Sequence, residues 1–548
     1  MMRDLVSLDP VSDRPRRSFS PSTLWTTLQT EWRPARTLSF TRERQWLAAI
    51  FLVAIVLRFA TLTVDSLWID EGYTLASAGH SFQLLFTVPF DSHPALHFAV
   101  VKVSEVFFDG AVALRLPSAV FSVIMLIPIY FLSRRIMGPV GALVTLAVLA
   151  MSFTMLVYAN NGRNYGQLLM LLAFALWALH ALASRFSEGE ALLERGALKW
   201  AAVYTVSAIL ALYTHNTAIL YLFVINAIFC LWVMLTATRR FLDFTWRLAV
   251  VNVLAIAAWL PWLRVMLGTS DVFDWLLQMD AISAATTLAA TIGPNSVPAP
   301  ILGVFFLAVL AGGVLSMARP NWPLALIFAH AAAFPLFIWL IGFVYKPVFM
   351  ERIILPAALG GALAIGYLAA HGRRAWLAGG LTGLAVLATA WSAAAYAFRG
   401  DAHANLGAHL IQDWRSGVAA HDQPGNALVI CDTFTWPTVD YYRQSAEVWV
   451  HNEAGMWDLS PQDWRDTYGV AISGANAVEK HRFSPWMATA TIAWEEAVAG
   501  APRMVFLKPD FLCNDGEPEI LRARLQASGY SQTRLDRWRG LTAEVWER

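Results

Sequence analysis

The chain has 548 residues, of which 57% are hydrophobic and only 14% are charged. A soluble protein carries about 25% charged residues, so this composition is that of a membrane protein. The net charge of +1 argues against a nucleic-acid-binding protein, and three cysteines are too few for a disulfide framework. Cys431 and Cys513 can pair only if both lie outside the cytoplasm.

Residues 1–44 contain eight Arg and five acidic residues, with scattered Pro and Ser. They precede the first apolar run, so they do not form a cleavable signal peptide. Their composition is typical of a disordered cytoplasmic tail, which holds the N-terminus inside.

Apolar runs follow at lengths that suit a hydrocarbon core of about 30 Å. We expect eleven membrane-spanning helices between residues 45 and 397, near 46–62, 116–133, 139–158, 167–183, 199–215, 218–236, 248–266, 301–318, 322–343, 353–370 and 375–397. Lys and Arg gather in alternate loops, as the positive-inside rule requires, so residues 398–548 are predicted to lie outside.

The segment 94–110 is apolar but short, and Lys102 and Glu105 lie in its middle. Central charges are costly in a spanning helix, so it is predicted to lie in the membrane interface. It belongs to the first outer loop, 62–115.

Residues 398–548 have more charges and shorter apolar runs. Segments 427–431, 447–450 and 503–508 predict buried strands, and segments 403–415 and 518–527 predict amphipathic helices. We expect a soluble α/β domain here, which would cover the site or select the acceptor.

The first outer loop contains the adjacent carboxylates Asp70 and Glu71 and no Lys or Arg before residue 94. One interpretation is that Asp70 caps a helix that starts at Gly72. The other is that one carboxylate is a general base for an acceptor hydroxyl or amine.

Two histidines belong to the predicted outer side. His93 follows Asp91 just before Pro94, where this pair either caps the next helix or contacts a substrate. His215 ends the fifth predicted span, where an interfacial histidine is the simpler interpretation.

Basic residues on the predicted outer side depart from the positive-inside rule. They are Arg115, Arg163 with its neighbour Tyr165, and Lys346 with Arg352. Each either reaches lipid phosphates or joins the others around a shared anion, for which guanidinium groups are well suited.

These motifs resemble the polytopic GT-C glycosyltransferases, in particular the bacterial family 39 group. That group is similar to protein O-mannosyltransferases and lipid A aminoarabinose transferases. The matching elements, in the order of the family, are Trp68-Ile-Asp70-Glu71, Asp91-Ser-His93-Pro94-Ala-Leu96, Leu114-Arg115-Leu-Pro-Ser118, Arg163-Asn-Tyr165 and Lys346-Pro with Arg352 and Pro356.

The resemblance implies that Asp70, with Glu71 beside it, is the catalytic carboxylate. It also implies that Arg163, Arg352 and Lys346 hold the phosphate of a polyprenyl-phosphate sugar. The chain departs from the family at Ala95, where Pro is frequent, and at Asn161, where the family commonly has Glu. The missing acid leaves open whether a second carboxylate or a divalent metal takes part, although the chemistry requires no cofactor.

The expected enzyme is an inverting glycosyltransferase of the cell inner membrane that acts on its extracytoplasmic side. Its partners are membrane lipids, a lipid-linked sugar and a lipid, glycan or protein acceptor. A ligase that moves a whole lipid-linked glycan would use the same residues, and a transporter or flippase is a second alternative. A transporter should carry its polar groups near the membrane midplane, whereas the candidates here gather at one surface.

Overall fold

The structure is a computed structural model that describes most of the chain in twelve segments. They are residues 36–87, 93–188, 194–236, 238–267, 277–318, 322–399, 412–431, 435–452, 455–458, 491–492, 501–510 and 517–548. Asp91, Cys513, residues 1–35 of the predicted tail and most of the predicted helix 403–415 lie outside them. Cys431 is disulfide-bonded and Cys230 is free.

The eleven predicted spans coincide with helices, in agreement with their apolar runs, and because three spans are each divided between two helices, thirteen helices cover them. In chain order these helices are α1 (Phe40–Phe59), α5 (Gly110–Ile124), α6 (Leu126–Met151), α7 (Phe153–Ala159), α8 (Tyr165–Glu188), α9 (Arg195–Leu212), α10 (Ala218–Thr236), α11 (Phe241–Leu267), α13 (Ala299–Met317), α14 (Trp322–Phe328), α15 (Phe334–Val344), α16 (Ala357–His371) and α17 (Ala375–Arg399). Within the described residues, seven helical stretches are long and apolar enough to cross a membrane, and one of them, Gly110–Met151, contains 42 residues.

Helix α1 begins at Phe40, so residues 40–44, which were predicted as part of the tail, are helical instead. A short π-helical segment, Ala329–Ala333, joins α14 to α15. A 3₁₀ turn, Thr238–Arg240, precedes α11.

The break between α6 and α7 is stabilised by a buried arginine of α1. Arg58 has no exposed surface, and its guanidinium donates to the carbonyl oxygens of Leu149 and Ala150 at 3.4 and 2.9 Å. These carbonyls belong to the last turn of α6, where intrahelical partners are missing. The chain then restarts as α7 after Ser152, whose hydroxyl accepts from Met155.

The first loop folds into three short helices, α2 (Ile69–Ala78), α3 (Phe82–Thr87) and α4 (Leu96–Ser104). Helix α4 has nine residues, which at 1.5 Å per residue reach only about 14 Å. It is therefore too short to span, as its central charges predicted. A further helix, α12 (Ala281–Ile292), follows α11.

The C-terminal part is a seven-stranded sheet with the predicted strands at its centre. The strands are β1 (Asn426–Ile430), β2 (Glu447–Asn452), β3 (Gly455–Asp458), β4 (Thr491–Ile492), β5 (Arg503–Pro509), β6 (Ser531–Trp538) and β7 (Leu541–Glu547), in the order β4-β3-β2-β1-β5-β7-β6. Strand β1 is parallel to β2 and β5, whereas the outer pairs are antiparallel. Its helices are α18 (Trp414–His421), α19 (Trp436–Tyr442) and α20 (Glu517–Ala527).

The sheet shares a hydrophobic core with the first loop. Ile69 and Tyr73 of α2 and Phe98 of α4 belong to the same buried cluster as Leu428 of β1 and Val439 of α19. Because burial of apolar surface drives this packing, the C-terminal domain lies directly on the loop that carries the two adjacent carboxylates.

Candidate active site

Asp70 and Glu71 lie in the first turn of α2, one residue apart but in different surroundings. The helix starts at Ile69 rather than at Gly72, so Asp70 does not cap it. Glu71 instead reaches back and accepts a hydrogen bond from the backbone N–H of Trp68 at 3.2 Å. This contact is one half of a capping box and stabilises the helix start.

Glu71 is buried and fully engaged. Its carboxylate accepts two hydrogen bonds of 2.6 Å from Arg115 and a third of 2.6 Å from the backbone N–H of Gly162. With the bond from Trp68, both oxygens have two donors each, and the side chain is only 1% exposed. Glu71 thus joins α2, α5 and the loop before α8.

Arg115 uses all five of its N–H groups inside the protein. Besides its two bonds to Glu71, it donates to the carbonyl oxygens of Leu62, Asp65 and Ser66 at 2.9–3.0 Å. A guanidinium has five donors, so Arg115 has none left for a ligand. The sequence predicted a substrate-binding residue here, but the structure makes Arg115 the anchor of the first loop.

Asp70 is partly open and lies beside two arginines. Its Oδ2 accepts from Nη1 of Arg352 at 3.1 Å and lies 3.9 Å from Nε of Arg163. Its side chain is 30% exposed, in contrast to that of Glu71. Asp70 is therefore the carboxylate of this pair that an incoming molecule can reach.

Arg163 is held by α2 and by the end of the first loop. It donates to the hydroxyl of Thr74 at 3.1 Å and to the backbone oxygen of Asp70 at 3.3 Å. Its Nη2 lies 2.9 Å from Nδ1 of His93. The turn before it fits closely, because a Cβ added at Gly162 would overlap the side chain of Leu114.

Aromatic rings continue from His93 along one side of the site. His93 contacts His215 edge to face with 4.6 Å between ring centroids, and Tyr165 lies 5.9 Å from His215. Tyr158 follows at 5.0 Å from Tyr165, and its hydroxyl donates to Glu351 at 3.5 Å. This row of aromatic rings therefore connects the two predicted histidines, His93 and His215, to the loop that contains Arg352.

Arg352 lies in the loop between α15 and α16. Its guanidinium is 6.0 Å above the ring of Trp68, and its Nε donates to the sulfur of Met350 at 2.8 Å. Within the described segments its Nη2 makes no hydrogen bond. Burial alone would lower the pKa of Arg352, but acidic groups that include Tyr165 and Asp70 raise it above its ordinary value.

The structure brings most of the sequence-predicted residues together. Asp70, Glu71, His93, Arg115, Arg163, Tyr165 and Arg352 form one connected cluster. Lys346 is half-buried in the loop of Arg352, and Asp91 lies outside the described residues. No group of three His, Cys, Asp or Glu side chains that could hold a metal occurs among the residues that the structure describes.

Some contacting residues had not been singled out from the sequence. Thr74, Tyr158 and the backbone N–H of Gly162 carry no motif of their own. Glu351 directly precedes Arg352 in the chain, so its place next to a predicted site residue was the available signal.

The overall fold is similar to that of a solved structure. ArnT from Cupriavidus metallidurans in the apo state superimposes with a TM-score of 0.52 at 15% identity, over 92% of this chain and 98% of that chain. The same protein bound to undecaprenyl phosphate gives a TM-score of 0.49 at 17% identity, over 91% and 98%. The archaeal oligosaccharyltransferase AglB from Archaeoglobus fulgidus gives 0.46 at 11% identity, over 85% and 70%.

Residues 92–263 match the sequence model of the family described as dolichyl-phosphate-mannose-protein mannosyltransferase, and none of the curated proteins matches the chain. The chain is thus similar in fold to ArnT, and over residues 92–263 it is similar in sequence to that mannosyltransferase family.

Proposed function

We propose that the chain transfers a sugar from a polyprenyl-phosphate donor to an acceptor, with Asp70 as the general base. The observation that carries this proposal is the open carboxylate of Asp70, 3.1 Å from an arginine that has N–H groups to spare. A base and an anion-binding group lie side by side, which is what displacement of a sugar from a phosphate requires.

We assign the role of general base to Asp70 because the carboxylate oxygens of Glu71 already accept hydrogen bonds from protein groups and are not accessible to a proton or a substrate. Both oxygens of Glu71 face donors, and no acceptor hydroxyl can replace one without unpairing a buried group. We therefore assign Glu71 and Arg115 to positioning the loop, and Asp70 to the proton transfer.

The phosphate is assigned to Arg352, Arg163 and Lys346. The N–H groups of Arg352 that make no hydrogen bond to the described residues favour a bound ligand over an internal role. Fixed guanidinium charge stabilises the negative charge that grows on the phosphate as the sugar leaves. This cluster supplies the positive charge that a divalent metal supplies elsewhere, so we expect transfer to proceed without one.

The lipid tail needs an apolar place close to this phosphate. An apolar cavity lies between the helices, and its lining includes Leu355, Pro356 and Leu359, which follow Arg352 in the chain, together with Met125 and Met155. We place the first part of the polyprenyl chain there. The headgroup would then meet Asp70 at the membrane surface.

The acceptor hydroxyl attacks the anomeric carbon as Asp70 takes its proton, and the lipid phosphate leaves with the bonding electrons. A single displacement of this kind inverts the configuration, whereas retention normally needs a second carboxylate about 5 Å away. We place the site on the extracytoplasmic side of the inner membrane, with a cytoplasmic N-terminus, in keeping with the charges of the loops.

The test is transfer by membranes that contain the full-length protein and a lipid-linked sugar. Asp70→Asn should lower turnover by at least about a hundredfold, since general base catalysis supplies about 10²–10⁴. Asp109→Asn is the matched control, because Asp109 is an exposed carboxylate whose side chain makes no capping bond. Equal turnover of Asp70→Asn and the control would contradict the base assignment.

The product distinguishes the alternatives. The added mass shows whether one sugar or a whole glycan is transferred, and proton NMR of the new linkage shows inversion or retention. Movement of lipid across the membrane without any transfer would favour a flippase instead.

A further inference from the structure

The backbone that leads into α2 is held from two sides. Arg115 of the membrane domain binds the carbonyl oxygens of Leu62, Asp65 and Ser66. The C-terminal domain binds the other face of the same segment, residues 62–68, which we call the strap. Because Asp70 follows the strap by two residues, whatever fixes the strap also fixes the carboxylate.

Helix α19 of the C-terminal domain supplies two of these contacts. The hydroxyl of Tyr442 accepts from the backbone N–H of Leu67 at 2.7 Å. The buried hydroxyl of Thr438 donates to the backbone oxygen of Trp68 at 3.4 Å. The two bonds lie on consecutive residues at the start of α2, so they set where that helix begins.

Packing between α19 and α2 is tight enough to require glycine. A Cβ added at Gly72 would overlap the hydroxyl of Thr438 and come within 2.9 Å of its backbone nitrogen. The two helices therefore pack closely at this point, which restricts sliding of one along the other. Tyr441 adds a bond from the N–H of Ala111 at 3.1 Å, close to the start of α5.

Two arginines of the same domain extend the contact along the strap. Arg415 donates to the carbonyl oxygens of Thr63 and Asp65 at 3.2 and 3.1 Å. Arg539 pairs with the carboxylate of Asp65 at 3.2 Å. The C-terminal domain thus contacts both the backbone oxygen and the carboxylate of Asp65. Arg115 of the membrane domain donates to the same backbone oxygen.

We propose that Tyr442 and Thr438 are positioning residues of the active site, so that the C-terminal domain is part of the catalytic machinery. They act by fixing the strap and the first turn of α2, which places Asp70 against Arg352. This inference rests on the proposed role of Asp70. It predicts an effect on turnover rather than on donor binding, because Arg352 and the apolar cavity belong to other segments.

Removal of the Tyr442 hydroxyl leaves the backbone N–H of Leu67 without its acceptor. Removal of the Thr438 hydroxyl takes one bond from the carbonyl oxygen of Trp68, which still accepts from the N–H groups of Glu71 and Gly72. An unpaired buried group is costly, so the strap shifts to find another partner. A displacement of about 1 Å at a reacting group lowers a rate by up to about a hundredfold. We expect Tyr442→Phe to lower kcat by about tenfold and Thr438→Val to lower it by a smaller factor, with KM for the lipid-linked sugar unchanged within about twofold.

The experiment uses full-length protein in membranes, with Thr438→Ser as the rescue variant and Tyr530→Phe as the control. Serine keeps the hydroxyl that valine lacks, so Thr438→Ser should recover most of the turnover. Tyr530 also lies in the C-terminal domain, but its hydroxyl donates to Ala501 within that domain. Tyr530→Phe should therefore leave kcat unchanged.

Each outcome has a clear meaning. The inference is overturned if Tyr442→Phe and Thr438→Val keep full turnover, if Thr438→Ser fails to recover it, or if the control loses as much. If the Tyr442→Phe protein does not fold, the comparison of Thr438→Val with Thr438→Ser decides whether the inference holds. Failure of the proposed function has a different signature, since Asp70→Asn would then remain active in the same assay.

Discussion

Replacement of Glu71 by glutamine removes one charge from a buried pair while it keeps the shape of the side chain. The carboxylate accepts four hydrogen bonds, two at each oxygen. An amide has one oxygen, so in either orientation its NH₂ group faces two donors. Either Gly162 and one nitrogen of Arg115, or Trp68 and the other nitrogen, lose their acceptor.

The cost follows from these contacts. Two unpaired donors at about 1–3 kcal/mol each, in a site that also contains an uncompensated buried guanidinium, indicate a loss of about 3–5 kcal/mol. We expect Glu71→Gln to lower the denaturation temperature of the purified protein by several degrees. Glu519→Gln is the control, since Glu519 is 67% exposed in a surface pair worth at most about 1 kcal/mol.

A double-mutant cycle that combines Glu71→Gln with Arg115→Gln measures how much the contact between these two side chains contributes to stability. Because the second substitution removes the unpaired charge that the first one leaves, the double variant should lose less stability than the sum of the two. The assay is retention of folded protein after heating, measured by size-exclusion chromatography. A Glu71→Gln protein that is as stable as the wild type but inactive would refute this reasoning and make Glu71 a chemical participant.

Three further outcomes follow from the same geometry. Gly162→Ala should lower turnover and stability, since the added methyl group overlaps the side chain of Leu114; Gly303→Ala, at a position with open space, is the control. Burial lowers the pKa of His97 to about 4, so stability should rise with pH between about 4 and 6.5 as the unfolded chain releases its extra proton. His97→Gln should flatten that part of a denaturation-against-pH profile, and an unchanged profile would exclude His97 as its source. Transfer should persist in a chelating buffer, and its loss, restored by added Mg²⁺ or Mn²⁺, would contradict the charge assignment to Arg352.

The membrane domain was largely predictable because apolar runs report directly on burial in lipid. Each predicted run is helical, and the nine-residue length of α4 agrees with the charges that argued against a span. The start of α1 was misplaced, because Glu43 looked like part of a polar tail. In the structure Glu43 is buried against Arg134 and Tyr130, a pairing between distant residues that a local pattern does not reveal.

The different surroundings of the two carboxylates could not be predicted from the sequence. Asp70 and Glu71 are chemically alike and adjacent, so composition does not divide their roles. Successive residues of a helix point about 100° apart, which turns Glu71 toward Arg115 and leaves Asp70 open. Knowing which one faces inward requires the helix start at Ile69 and the position of α5, and neither follows from spacing.

The strap has a consequence for the order in which the enzyme is made. Leu67 and Tyr442 are 375 residues apart in the chain, which a ribosome covers in roughly 20–75 seconds at about 5–20 residues per second. During that interval Asp70, the proposed base, lacks the contacts from the C-terminal domain that fix the strap. The contacts that fix the strap therefore form only after α19 and the later Arg539 have been made, so under the proposed function a polypeptide released earlier would lack turnover.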